Sequence, residues 1–160
     1  MKVKIGYKTF YSFLKKSDYG YTEEEIKNLF LSVRAMDEES RGWVINWING
    51  KGLPRTIVED VTADFLVNEV GMQPINALIA LDWLKHEPEM AKYYIMKLAK
   101  DNSEKDAAEA DMRKIAEEFR EKEKDSEDGS EDKKKTLEAI EEEKKEALKD
   151  VEELTLEGVI

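Results

Sequence analysis

The last sixty residues of this 160-residue chain hold all of its net charge. Residues 101–160 contain 23 acidic and 12 basic side chains, whereas residues 1–100 contain 14 of each sign. The aromatics divide the other way, with Phe119 the one Phe, Tyr or Trp beyond residue 100. Burial of large apolar side chains is the main drive to fold, so residues 1–100 can build a core and residues 101–160 only a thin helical seam. The sequence therefore predicts a neutral, aromatic-rich helical domain over 1–100. An acidic Lys/Glu-rich helical tail follows over 101–160, with a break at 125–130.

Composition narrows the function classes. Cysteine is absent, which removes disulfides, thiolate metal sites and a Cys nucleophile. No run approaches the ~18 apolar residues of a membrane helix, and Met1-Lys2-Val3-Lys4-Ile5-Gly6 has no apolar leader segment. The expectation is a soluble cytoplasmic protein with no cofactor. A net charge of −11 opposes binding to nucleic acid or anionic membranes and favours a protein partner with a basic surface.

Periodicity and caps predict an all-α fold, a compact bundle of about six helices followed by a charged tail. Residues 2–5 alternate and read as a short strand or a helix lead-in. Tyr7, Phe10, Tyr11, Phe13 and Leu14 then recur at helical spacing. Thr22 and Glu25 form a capping box ahead of a stripe of Ile26, Leu29, Phe30 and Val33. Asp37-Glu38-Glu39 starts a helix carrying Trp43, Val44, Trp47 and Ile48, stopped at Asn49-Gly50-Lys51-Gly52. A second box, Thr56 with Glu59, predicts a helix closing at Val70-Gly71. Pro74 opens a helix that is apolar nearly all round through Leu84, and Pro88 starts another with Met90, Tyr93, Tyr94, Met96 and Leu98.

In the tail, Ala108, Met112, Ile115 and Phe119 make a narrow stripe. Farther on, Leu137, Ile140, Lys144, Ala147, Val151 and Leu154 step by three and four, an a/d heptad seam with one Lys in it. The seam predicts a helical hairpin or an intermolecular coiled coil that would make a homodimer. Residues 156–160 read as a frayed end.

Few residues carry chemistry. Asp82 and His86 share one helix face and could give two metal ligands, but no other His and no Cys supplies a third. A histidine capping the helix end before Pro88 accounts for the pair. Asn49-Gly50-Lys51-Gly52 departs from the phosphate-loop pattern, which needs Ser or Thr after the Lys. The acidic stretch around Gly129 puts Lys124 at the first position of a calcium loop, where a carboxylate is required. The chain reads as non-enzymatic. Trp43 and Trp47 are four apart and form either a core ridge or an interface anchor. The candidate partner-binding residues are Trp43, Trp47, Glu117, Glu118, Glu141, Glu142 and Glu143, and the oligomerisation seam is Leu137, Ile140, Ala147, Val151 and Leu154.

Two resemblances extend this reading. Residues 56–87, through Val70-Gly71-Met72-Gln73-Pro74, Ala77, Ala80-Leu81 and Trp83-Leu84-Lys85-His86-Glu87, resemble the helix-turn-helix segment of winged-helix domains, which implies a transcriptional regulator. In size, acidity and lack of cysteine the chain is similar to early proteins of tailed bacteriophages that disable host enzymes, among them inhibitors of Lon-type ATP-dependent proteases. That likeness implies action in the host cytoplasm, by steric inhibition of a macromolecular machine. An oligomerisation or structural module is the third reading.

Overall fold

Local signals place most helix ends where the computed structural model has them. The structure describes residues 2–100, 105–127 and 151–159. In chain order the described elements are strand β1 (Lys2–Gly6), helices α1 (Tyr7–Lys16), α2 (Glu23–Arg34) and α3 (Glu38–Ile48), a short helix α4 (Ala63–Phe65) running into a π-helical turn (Leu66–Val70), α5 (Pro74–His86), α6 (Pro88–Lys100), α7 (Lys105–Glu127), a 3₁₀ turn (Val151–Glu153) and strand β2 (Thr155–Val159).

The Thr22 capping box forms: the Glu25 amide donates to Thr22 Oγ1 at 3.1 Å and the Thr22 amide donates to Glu25 Oε1 at 3.0 Å. Asp37 caps α3 by accepting from the Ser40 amide at 2.8 Å. Gly50 and Gly52 both take positive φ after α3, the conformation a helix stop requires.

The fold is mostly helical, but the all-α expectation needs a correction. β1 and β2 pair antiparallel, with Val3 opposite Gly158 and Ile5 opposite Leu156. The expected frayed end is thus a strand. Leu156 and Gly158 turn inward while Thr155 and Val159 face out, the alternation that a half-buried strand demands. The sheet lies on α3 so closely that a Cβ on Gly158 would stand 2.5 Å from the Gly42 backbone nitrogen. Two glycines meet there because no side chain fits between strand and helix.

Two further expectations are revised. No helix starts at Thr56. Val58 and Val61 pair with each other across Glu59 and Asp60, both at positive φ, and the helix begins at Ala63 with Thr62 Oγ1 accepting from the Phe65 amide. Two β-branched valines favour the extended pairing over a first helical turn. Val151 and Leu154 do not continue a heptad seam either. Val151 opens the 3₁₀ turn and is fully buried in the core, and Leu154 follows the turn, packed against that core.

α5 is the axis of the core, packed by α3, α4, α6 and α7. Every residue from Ile75 to Leu84 is buried, and each large apolar side chain there stabilises the fold by roughly 1.5–3 kcal/mol over its exposed state. Around it lie Phe10 and Leu14 of α1, Leu29 and Phe30 of α2 and Ile45 of α3. The stripe on α7 faces this core: Met112 and Ala116 are fully buried, with Ala108, Ile115 and Phe119 packed against them. α7 continues as helix through Asp125, Ser126 and Glu127. The rest of the predicted 125–130 break, the acidic residues Glu141, Glu142 and Glu143, and Leu137, Ile140 and Ala147 lie outside the described residues.

Candidate functional site

The residue types that could do chemistry converge where α5 ends and α3 begins. Asp82 and His86 lie one turn apart on α5, as their spacing predicts. The third member is Asp37, forty-five residues upstream, which sequence spacing could not supply. Its only sequence signal is its place as the cap before Glu38. The ligand atoms of Asp37, Asp82 and His86 all lie within 4.8 Å of one another. His86 Nε2 stands 3.0 Å from Asp37 Oδ2 and 3.6 Å from Asp82 Oδ1. The Asp37 amide donates to Asp82 Oδ1 at 3.4 Å.

This cluster carries its own counter-ions. Lys85 Nζ stands 2.9 Å from Asp37 Oδ2, 3.7 Å from Glu39, and 5.1 Å from the centre of the Trp43 ring. The His86 pKa rises to about 9. Its hydrogen bond to Asp82 contributes most, burial pulls the other way, and the charge of Asp82 and the bond to Asp37 add to the rise. Burial alone would raise the Asp37 carboxyl, but the bonds from Lys85 and the Ser40 amide hold it well below the usual carboxylate range. At neutral pH two carboxylates therefore face an ammonium and an imidazolium. A divalent ion would have to displace Lys85 and deprotonate His86. The arrangement is suited to clamping the start of α3 to the end of α5.

A second buried polar group ties α7 to the core. Glu109, buried, accepts from Asn76 of α5, and Arg113 donates to Asn76 Oδ1 at 2.5 Å. Tyr21 donates to Gln73 at the start of α5, where burial raises the phenol pKa. Glu117, expected to face a partner, is 8% exposed and accepts from Ser32 at 3.3 Å. The acidic stripe of α7 thus has an inward component, and its carboxylates there satisfy α2 and α5. Glu118 is half-buried.

Trp43 and Trp47 both belong to the core, at 7% and 9% exposure. Trp47 meets the edge of Phe13 at 4.7 Å between ring centres. Their place on α3 gives a packing ridge, leaving little of either ring to meet a partner. α5, the helix that would enter a DNA groove in a winged-helix reading, is the buried axis and offers no charged face between Ile75 and Leu81.

Exposed apolar surface lies elsewhere. On α6 the buried residues are Ala91, Ile95 and Leu98, so Tyr93 and Met96 point outward at 62% and 60% exposure. Ile57 and Phe65 are also exposed. The Val58–Val61 turn is tied to α6 by Lys92 and Glu59 at 3.2 Å, and the π-helical turn after Phe65 packs on α6. Tyr93 and Met96 fall among the apolar residues of this helix in the sequence, where apolarity alone does not separate its two faces. The spacing of Ala91, Ile95 and Leu98 carries that distinction. No described helix is long and apolar enough to cross a membrane. No known protein family, curated protein or solved structure matches this chain.

Proposed function

We propose that this protein acts by binding another protein, as a non-enzymatic inhibitor or modulator of a macromolecular machine. The observation that carries the reading is the outer face of α6, where Tyr93 and Met96 stay exposed with Ile57 and Phe65 on the elements joined to it. Aromatic and methionine side chains of this kind are enriched at interface centres, and their burial supplies affinity. Net charge of −11 favours a basic partner and sets encounter rate and salt dependence. Likeness in size and composition to phage inhibitors of ATP-dependent proteases supports steric occlusion as the mode of action.

Affinity capture comparing the wild-type chain with Tyr93→Glu plus Met96→Glu tests this. The expected outcome is a partner retained by wild type and lost by the double variant, whose thermal midpoint falls only slightly, since both side chains are mostly solvent-facing and the edge contact of Tyr93 with Tyr94 is the ring contact given up. A partner held equally by both proteins would move the interface off α6, and retention of none would remove the reading.

A further inference from the structure

A cleft of about 370 Å³ opens between α1, the first residue of α2 and the 3₁₀ turn, lined by Tyr7, Lys8, Tyr11, Ser12, Glu23 and Glu152. Its volume lies at the low end of the range for ligand pockets. The distant turn at 151–153 meets the start of the chain here and packs on α1. Tyr7 is 4% exposed, yet among the described residues its phenol oxygen has no hydrogen-bond partner. A buried hydroxyl left without a partner costs about 1–3 kcal/mol, so it calls for an explanation, and a guest group in the cleft supplies one.

The lining defines the guest. Ionised Glu23 and Glu152 only accept hydrogen bonds, and the hydroxyl oxygens of Tyr7 and Ser12 accept as well. The Tyr7 and Tyr11 rings stand 5.9 Å apart, tilted 46°. Tyr11 already receives the Lys15 ammonium 5.8 Å from its ring centre, so its face serves as a cation acceptor. Lys8 offsets one of the two carboxylates, leaving the cleft with one uncompensated negative charge. Glu23 also touches Lys27 at 3.8 Å, a single ion pair four apart on α2 with the carboxylate exposed, weak enough for a guest to displace. Burial first, then the charges of Glu23, Tyr11 and Glu152, push the Tyr7 phenol up to about 12. The residues acting on that hydroxyl, Glu23, Tyr11 and Glu152, are the cleft's own walls.

We propose that this cleft binds a guanidinium cation, presented as an arginine side chain by a basic partner protein. Guanidinium offers five N–H donors and no acceptor, is weakly hydrated, and stacks on aromatic rings. It therefore matches the acceptors and ring faces that line the cleft beside Lys8, and its single charge completes the balance. Ammonium has the charge without the plane, and an anion would meet two carboxylates. The source of the cation rests on the protein-binding reading; the chemistry of the cleft does not.

Titration of the full chain with N-acetyl-arginine amide, followed by NMR, tests the site against the neutral citrulline analogue of the same shape. Saturable shifts at Tyr7, Tyr11, Ser12, Glu23 and Glu152 are expected from the arginine compound alone, with a dissociation constant of about 1 mM. Tyr7→Phe and Glu152→Gln should each weaken binding about fivefold. Tyr7→Phe should also raise the denaturant midpoint, since it deletes an orphaned hydroxyl. An equal response to citrulline, shifts confined to other residues, or unchanged affinity in both variants would overturn the cleft. The Tyr93→Glu plus Met96→Glu protein should titrate like wild type. Loss of the arginine response thus leaves α6 standing, and failure of the α6 variant to release a partner leaves the cleft standing.

Discussion

Asp37 performs two tasks with one carboxylate. Its Oδ1 caps α3 through the Ser40 amide, and its Oδ2 receives Lys85 and His86. The clamp depends on His86 being charged, and that fixes a pH dependence. The folded pKa of about 9 lies above the ordinary 6.5, so between those values the folded chain binds the extra proton. Stability from this residue is complete below about pH 6.5 and lost as pH rises through 9. The urea midpoint of wild type should fall over that interval by the equivalent of about 2 kcal/mol, a figure reduced for the ring's partial exposure. His86→Gln should be less stable at pH 6 and flat across the same range. A wild-type profile as flat as the variant's would mean that the imidazolium contributes nothing. Tyr7 and Tyr21 titrate only above this window, because burial raises both phenols.

Helices and strands differ here in what fixes them. α2 and α3 are set by residues within one turn of their ends, Thr22 with Glu25 and Asp37 with Ser40, so both were legible in sequence. The pairing of β1 with β2 joins residues 149 to 157 positions apart through five-residue strands. An alternation that short reads equally well as a frayed end or a helix lead-in. The same limit hid Asp37 from the pair Asp82 and His86, and hid the inward turn of Glu117, since composition along α7 reports charge but not which carboxylates face Ser32. What made β2 necessary is steric. A methyl at Gly158 would meet the Gly42 nitrogen at 2.5 Å and the Arg41 carbonyl carbon at 2.8 Å, and backbone atoms of a helix cannot step aside. Gly158→Ala should therefore destabilise by about 1–3 kcal/mol in urea melts. Gly6→Ala on the facing strand, where a Cβ meets nothing within 4 Å, should stay near wild type. Equal stability of the two variants would show that strand and helix are not in contact.

Charge and packing divide the whole molecule differently. Net charge changes at residue 100, while the core takes Met112 and Ala116 from α7, Val151 from the 3₁₀ turn and Leu156 from β2, each fully buried. If the charge boundary were also a folding boundary, a 1–100 fragment would keep its stability. In the structure that fragment would lose the strand that pairs with β1, the helix that satisfies Asn76, and four buried apolar side chains. Removing large core groups costs about 2–5 kcal/mol each, comparable in sum with the whole stability of a domain this size. The 1–100 fragment should accordingly unfold without a cooperative transition in calorimetry, while the full chain melts sharply. A milder cut that deletes 151–160 isolates the C-terminal contribution. It removes Val151, Leu156 and the β2 ladder, and should lower the urea midpoint well below that of Gly158→Ala. It also takes away Glu152, so arginine binding should weaken in the same protein even where it remains folded. A 1–100 fragment that melts as cooperatively as the intact chain would show instead that the acidic segment is an attachment, and that the contacts of α7 and β2 add nothing to the core.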